Sequence, residues 1–152
     1  MSQPAPVQAI VSAVSERSTF PLRPDAPFDP ALAPRIDGLS APDAVKAALH
    51  LLNDDLARAH EIAQGHEGET TFDYVHAIVH RREGDFSNSL YWLGRVGDHP
   101  VAAAVHGGIE TARVFVDRCR RAEATRRVEL AEVETLGARE MRALLEHAFT
   151  LR

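Results

Sequence analysis

His76, His80 and Glu83 stand at i, i+4 and i+7, and no other spacing in the chain is as suggestive of chemistry. On a helix turning about 100° per residue, the three fall within an arc of roughly 60°, so two imidazoles and a carboxylate share one line. His60 and Gln64, at i and i+4, border an earlier apolar stripe in the same way. Antiparallel packing of the two segments would bring His60 toward His76 or His80. Three imidazoles and a carboxylate form a donor set for a divalent ion such as zinc or iron. The chain has no HExxH motif, whose embedded glutamate would supply a general base. Two plainer readings stand beside the metal. The histidines bond to each other's helices or lie solvated at the boundary, or they line a metal-free polar pocket.

The residues that follow are read more locally. Gly84 is placed to end one helix in a left-handed turn, and Asp85 to cap the next by accepting from the Asn88 amide. Asn88 is expected to return a bond toward that cap. Arg81 and Arg82 close the first helix, where positive charge suits the dipole. Tyr91 and Arg95 are i, i+4, a spacing that lets the guanidinium lie over the phenol ring. Trp92, the only tryptophan, packs in the core or walls a ligand pocket.

Two functions follow. In the first, the chain is a small binding or interaction protein of unknown ligand. Its polar seam of Gln64, Arg81, Tyr91, Trp92, Arg95 and His99, with the histidines, would hold a small molecule or mediate self-association as a homodimer. In the second, His60, His76, His80 and Glu83 hold a metal for hydrolytic or oxidative chemistry.

Two segments, LLNDDLARAHEIAQ (51–64) and HAIVHRREGDFSNSLYWLGRVGDHP (76–100), resemble an uncharacterised helical family of bacteria and fungi. Its pattern is W-x-D-x-x-x-x-H-x-I-x-Q, a spacer, then H-x-x-x-H-R-x-E-x-D-x-x-N-x-x-Y-W-x-R-x-G-x-H. The matching positions are Asp54 or Asp55, His60, Gln64, His76, His80, Arg81, Glu83, Asp85, Asn88, Tyr91, Trp92, Arg95, Gly97 and His99. Leu52 stands where the pattern has an aromatic residue. The resemblance covers about a third of the chain and implies no activity. The hairpin is also similar to half of a tetratricopeptide pair, although no 34-residue repeat is present.

The elements that must position these residues are helical. Val7, Ile10, Val11 and Val14 suit a short helix within 1–18. Five prolines in 19–38 make an arm or linker, with Phe20, Leu22, Phe28, Leu32 and Ile36 to lie along the surface. Residues 1–38 are thus expected as N-terminal helix and arm, and 39–152 as the helical domain. Ser40, with Asp43, opens a helix running to Gly65, and Thr70 or Thr71 caps the next, over about 72–83. His99-Pro100 starts a further helix, ended at Gly107-Gly108. From Arg120 to the end the pattern gives one kinked helix or two, with Gly137 as the break. The expectation is an all-α, irregular bundle of six to seven helices with a tight hairpin at 72–97.

With 152 residues and 45% hydrophobic content the chain is large enough to bury one core. A net charge of −5 argues against nucleic acid as partner. The arginines of 118–127 read as a solvated helix face, since acids follow closely. No apolar run approaches the roughly 18 residues of a membrane span. Cys119 is the only cysteine, read as a buried packing thiol, and nothing resembles a secretory signal, so a cytoplasmic setting is expected. Gly107-Gly108 lacks phosphate-loop spacing, and no nucleophile elbow is visible.

Overall fold

A computed structural model of the chain describes residues 3–125 and 128–151. Among them are nine helices and no strand: α1 (Ala5–Ser15), α2 (Leu32–Asp37), α3 (Asp43–Leu52), α4 (Leu56–Gln64), α5 (Thr70–Glu83), α6 (Phe86–Val96), α7 (Pro100–His106), α8 (Ile109–Thr125) and α9 (Val128–Ala148). The all-α expectation holds, with more helices than the six or seven expected. No described helix is long and apolar enough to cross a membrane.

The first extra helix comes from the arm. Pro34 sits in the first turn of α2, where its missing N–H would have no partner anyway. Leu32 and Ile36 are buried and anchor the turn, as are Phe20 and Leu22, whereas Phe28 stays exposed. Val7, Ile10, Val14, Phe20, Leu32 and Ile36 share one core with the later helices.

The second extra helix arises because the segment 40–65 breaks at Asn53-Asp54-Asp55. Asp54 has a left-handed backbone, φ 56°, and Asp55 becomes a new N-cap, accepting from the Arg58 amide. Side chains of this type compete with the helical backbone for its hydrogen bonds. Here long-range partners decide the contest. Asn53 pairs with the backbone and side chain of Asp29 in the arm. Asp54 takes ion contacts from Arg17 at 2.6 Å and from the fully buried Arg82 at 2.5 Å. Arg82 also donates to the carbonyls of Leu51 and Pro21, so the arm and the α3–α4 corner are tied together.

Other boundaries differ by a residue or a mechanism. Pro42 rather than Ser40 precedes α3, with no side-chain cap. Glu69, not a threonine, precedes α5. Gly137 lies inside α9 and does not break it. Arg126 and Arg127 of the basic run lie outside the described residues, as do residues 1 and 2 of the N-terminal segment. Arg118 and Arg120 of the same run pair with Glu132 and Asp117.

The hairpin forms as its local signals require. Gly84 ends α5 at φ 83°, a conformation that costs a glycine nothing, and Asp85 caps α6 by accepting from Asn88 N. Ser89 Oγ donates to the Ala77 carbonyl at 2.6 Å and fastens the two helices. All residues of α5 from Thr71 to Arg82 are buried. The helix is enclosed on every side, and each of its polar side chains must find a partner within the protein.

Candidate metal centre

Two faces of α5 carry polar groups, and they end in different surroundings. His76 and His80 turn toward α4 and α6. The ring of His60, from α4, lies 4.9 Å from that of His76 and 5.3 Å from that of His80, centroid to centroid. One nitrogen from each of the three rings lies within 4.8 Å of the others. Three such atoms all sit within about 2.8 Å of a common centre, against the roughly 2.0–2.1 Å of a zinc–imidazole bond, so the rings need close by less than 1 Å.

The three rings are not equivalent. Glu83 Oε2 lies 3.2 Å from His80 Nδ1, and the Asn88 amide nitrogen lies 3.2 Å from His80 Nε2. A carboxylate can only accept and an amide N–H can only donate. These two contacts suit the His80 tautomer with its proton on Nδ1 and its lone pair on Nε2. A carboxylate behind the outer nitrogen of an imidazole is the arrangement that fixes the ring and raises its basicity as a ligand. Glu83 itself is exposed. Asn88 does not return to the cap; its side chain crosses the hairpin to His80.

His76 is buried, and neither ring nitrogen has a hydrogen-bond partner among the described residues. Leaving such groups unpaired costs about 1–3 kcal/mol. Burial, then the neighbouring His60, His80 and Arg95, push this ring down to about 4, so it is neutral at pH 7, the form that binds metals. Its other neighbour is Trp92, buried and edge-on at 4.0 Å.

Trp92 is in turn covered by Arg95. The guanidinium carbon sits 5.0 Å from the indole centroid, so the cation lies over the tryptophan rather than over Tyr91. Tyr91 is exposed and meets Arg95 only through its hydroxyl, at 3.4 Å. Asp73 Oδ2 is 3.9 Å from Arg95 Nε, while its Oδ1 accepts from the Gly68 amide. Gln64 lies exposed at the end of α4.

Two expected members of the seam are elsewhere. Arg81 points to the opposite face of α5, where Nη1 lies 2.7 Å from Oε1 of the buried Glu140. Glu140 Oε2 accepts from the Tyr74 hydroxyl at 2.8 Å and lies 2.7 Å from His106 Nε2. Burial alone would raise this carboxyl; Arg81, His106 and Tyr74 outweigh it and hold it at about 2. His99 caps α7, its Nδ1 accepting from Val101 N, while Nε2 pairs with Thr71 Oγ1 and the ring packs against Tyr74 and His147. Both side chains are engaged in structural roles. Cys119 is buried, and burial pushes its thiol up to about 11.

Asn88 and Asp73 are the members the sequence reading passed over. The signal for Asn88 was its spacing of eight from His80 across a two-residue turn; Asp73 had none, since its partners lie in a loop and on another helix. A cavity of about 560 Å³ beside the arm, lined by Leu22, Arg23, Glu123 and Glu134 among others, gathers no comparable group. There the Glu123 and Glu134 carboxylates are taken by Arg23 and by the Leu22 amide. No known protein family, curated protein or solved structure matches the chain.

Proposed function

We propose that the protein binds one divalent transition-metal ion through His60, His76 and His80, with Glu83 orienting His80 from behind. The observation that carries this reading is His76, a buried imidazole with neither nitrogen engaged, within ligand spacing of two more imidazoles. Native proteins seldom leave a buried polar side chain unpaired without a role for it. Imidazole donors suit zinc, copper, iron and nickel, and zinc is the assignment made here.

Three protein ligands leave at least one position open, the pattern of sites that bind water or an exogenous molecule. The ion would take the His80 Nε2 lone pair in place of the Asn88 N–H. A small metal-assisted binding protein or hydrolase in a reducing, cytoplasmic setting is the function that follows. The resemblance in motif to the uncharacterised bacterial and fungal family extends the same proposal to that pattern, because three of its four histidines, His60, His76 and His80, meet here with Glu83 behind His80.

Elemental analysis of protein prepared without a histidine tag tests the reading. Near-stoichiometric zinc in the wild type, lost in His80→Ala, is the expected outcome. Sub-stoichiometric metal that His80→Ala does not change overturns it and leaves the metal-free pocket.

A further inference from the structure

We infer that Asn88 is a displaceable fourth ligand of this centre, binding the ion through its amide oxygen Oδ1; the inference rests on the metal reading above. The Asn88 side chain reaches across the hairpin from the first turn of α6, and its Nδ2 lies 3.2 Å from His80 Nε2. Glu83 stands at Nδ1 of the same ring, so Nε2 is the nitrogen left to offer a lone pair. The Asn88 amide and the ion therefore claim the same lone pair. An ion bonded there at roughly 2.0–2.1 Å has the amide beside it from the moment it arrives. Neighbouring ligands of a tetrahedral ion with such bonds stand about 3.3 Å apart. Asn88 already keeps that spacing from His80.

An N–H cannot bind a cation, whereas an amide oxygen can. Both groups sit on one carbon of Asn88, so turning the amide over about its last side-chain bond exchanges them in place. The backbone need not follow. Asn88 N donates to the Asp85 cap, and the next residue, Ser89, is fastened to the Ala77 carbonyl. The side chain is half-buried, which makes a pivot a smaller change than swinging it out into water. Without metal, Nδ2 faces His80; with metal, Oδ1 faces the ion. Zinc prefers imidazole to a carbonyl-type oxygen, so the amide is the weakest of the four ligands. It fills the fourth position until water or an exogenous molecule replaces it.

The test measures zinc affinity of the full chain by competition with a chromophoric chelator, for the wild type, Asn88→Ala and Asn88→Asp. Asn88→Ala should bind zinc about tenfold more weakly, within the range that changing one group at a metal site produces. Asn88→Asp should bind at least as tightly as the wild type, because its carboxylate supplies an oxygen but no N–H. The visible bands of the cobalt(II)-loaded proteins separate ligation from charge alone, and should move in Asn88→Ala as the ligand set changes. Tighter zinc binding by Asn88→Ala would make Asn88 a competitor for the lone pair and overturn the inference. Asn88→Asp as weak as Asn88→Ala would reduce Asn88 to positioning His80 through its N–H, and also overturns it. So do unmoved cobalt bands or equal affinities in all three. Should Asn88→Ala fail to fold, Asn88→Asp decides alone, with weaker binding than the wild type as the contrary result. A wild type that binds neither metal removes the metal reading and this inference together.

Discussion

The two polar clusters on α5 differ in burial and in character: the one around Glu140 is fully buried, whereas the histidine cluster reaches the half-buried His60 and the exposed Glu83. Around Glu140, the carboxylate meets a guanidinium, an imidazole and a phenol, each within 2.8 Å. Around His76, three imidazoles approach one another with no acid among them at hydrogen-bond distance of His76. One cluster pairs its charges, although Arg81 Nε and Glu140 Oε1 make no hydrogen bond there. The other holds a buried imidazole with neither nitrogen paired, within 4.8 Å of a nitrogen on each of two more. Buried polarity that is paired holds a fold together, and buried polarity that is unpaired costs stability and calls for a ligand. On the reading proposed above, one face of α5 serves the fold and the other the metal site.

The comparison can be broken most severely at Glu140. Glu140→Gln leaves the Arg81 charge buried without its counterion, and a loss of about 3–5 kcal/mol is expected in urea denaturation. Metal affinity in whatever fraction folds should not change. A variant close to wild type in stability would mean that the Glu140 cluster is not the strut described here.

A second measurement concerns pH. Burial, and then the nearby His147, push His99 down to about 4, from an ordinary value of 6.5. The unfolded chain therefore takes up this proton before the folded chain does. The stability that the neutral ring contributes is full above pH 6.5 and is lost as pH falls from 6.5 to 4. Roughly 3 kcal/mol is at stake in that window. Glu140, held at about 2 from an ordinary 4.5, adds a further loss between pH 4.5 and 2. Denaturation midpoints across pH 4–7 with a chelator present should show a slope that His99→Gln reduces. A flat profile in the wild type would contradict the burial of a neutral His99.

The unpaired face predicts the reverse sign. His76→Phe replaces a partnerless buried imidazole by an apolar ring of similar shape. The metal-free protein should keep its stability or gain about 1 kcal/mol, while metal binding disappears. A loss of several kcal/mol would show that His76 is paired after all. The mildest effect belongs to Glu83→Gln. Glu83 is exposed, so stability should move by less than about 0.5 kcal/mol. Metal affinity should nonetheless fall roughly 10- to 100-fold as His80 loses the group that orients it.

The legible parts of this molecule were the short-range ones. Gly84 and Asp85 act within a few residues of themselves, so stop, turn and cap were readable directly. The approach of His60 to His76 and His80 was readable because each pair lies at i, i+4 beside an apolar stripe, and a tight hairpin leaves few ways to pack. The break at Asn53-Asp54-Asp55 was not readable, since it depends on Arg17, Arg82 and Asp29, which are brought in by the arm. Arg81 and His99 were placed with the histidines because polar residues in one motif suggest one surface. Helix α5 is enclosed all round, so its polar residues divide between two faces. Glu140 sits 66 residues from Tyr74 and 34 from His106, and periodicity carries no information at that separation.

The most direct test of the account is calorimetric titration of zinc into chelator-treated, untagged protein, wild type beside His76→Phe. One ion per chain in the wild type, with no binding in His76→Phe at unchanged fold, is the predicted result. No saturable zinc binding in the wild type, or equal binding in the variant, would contradict it.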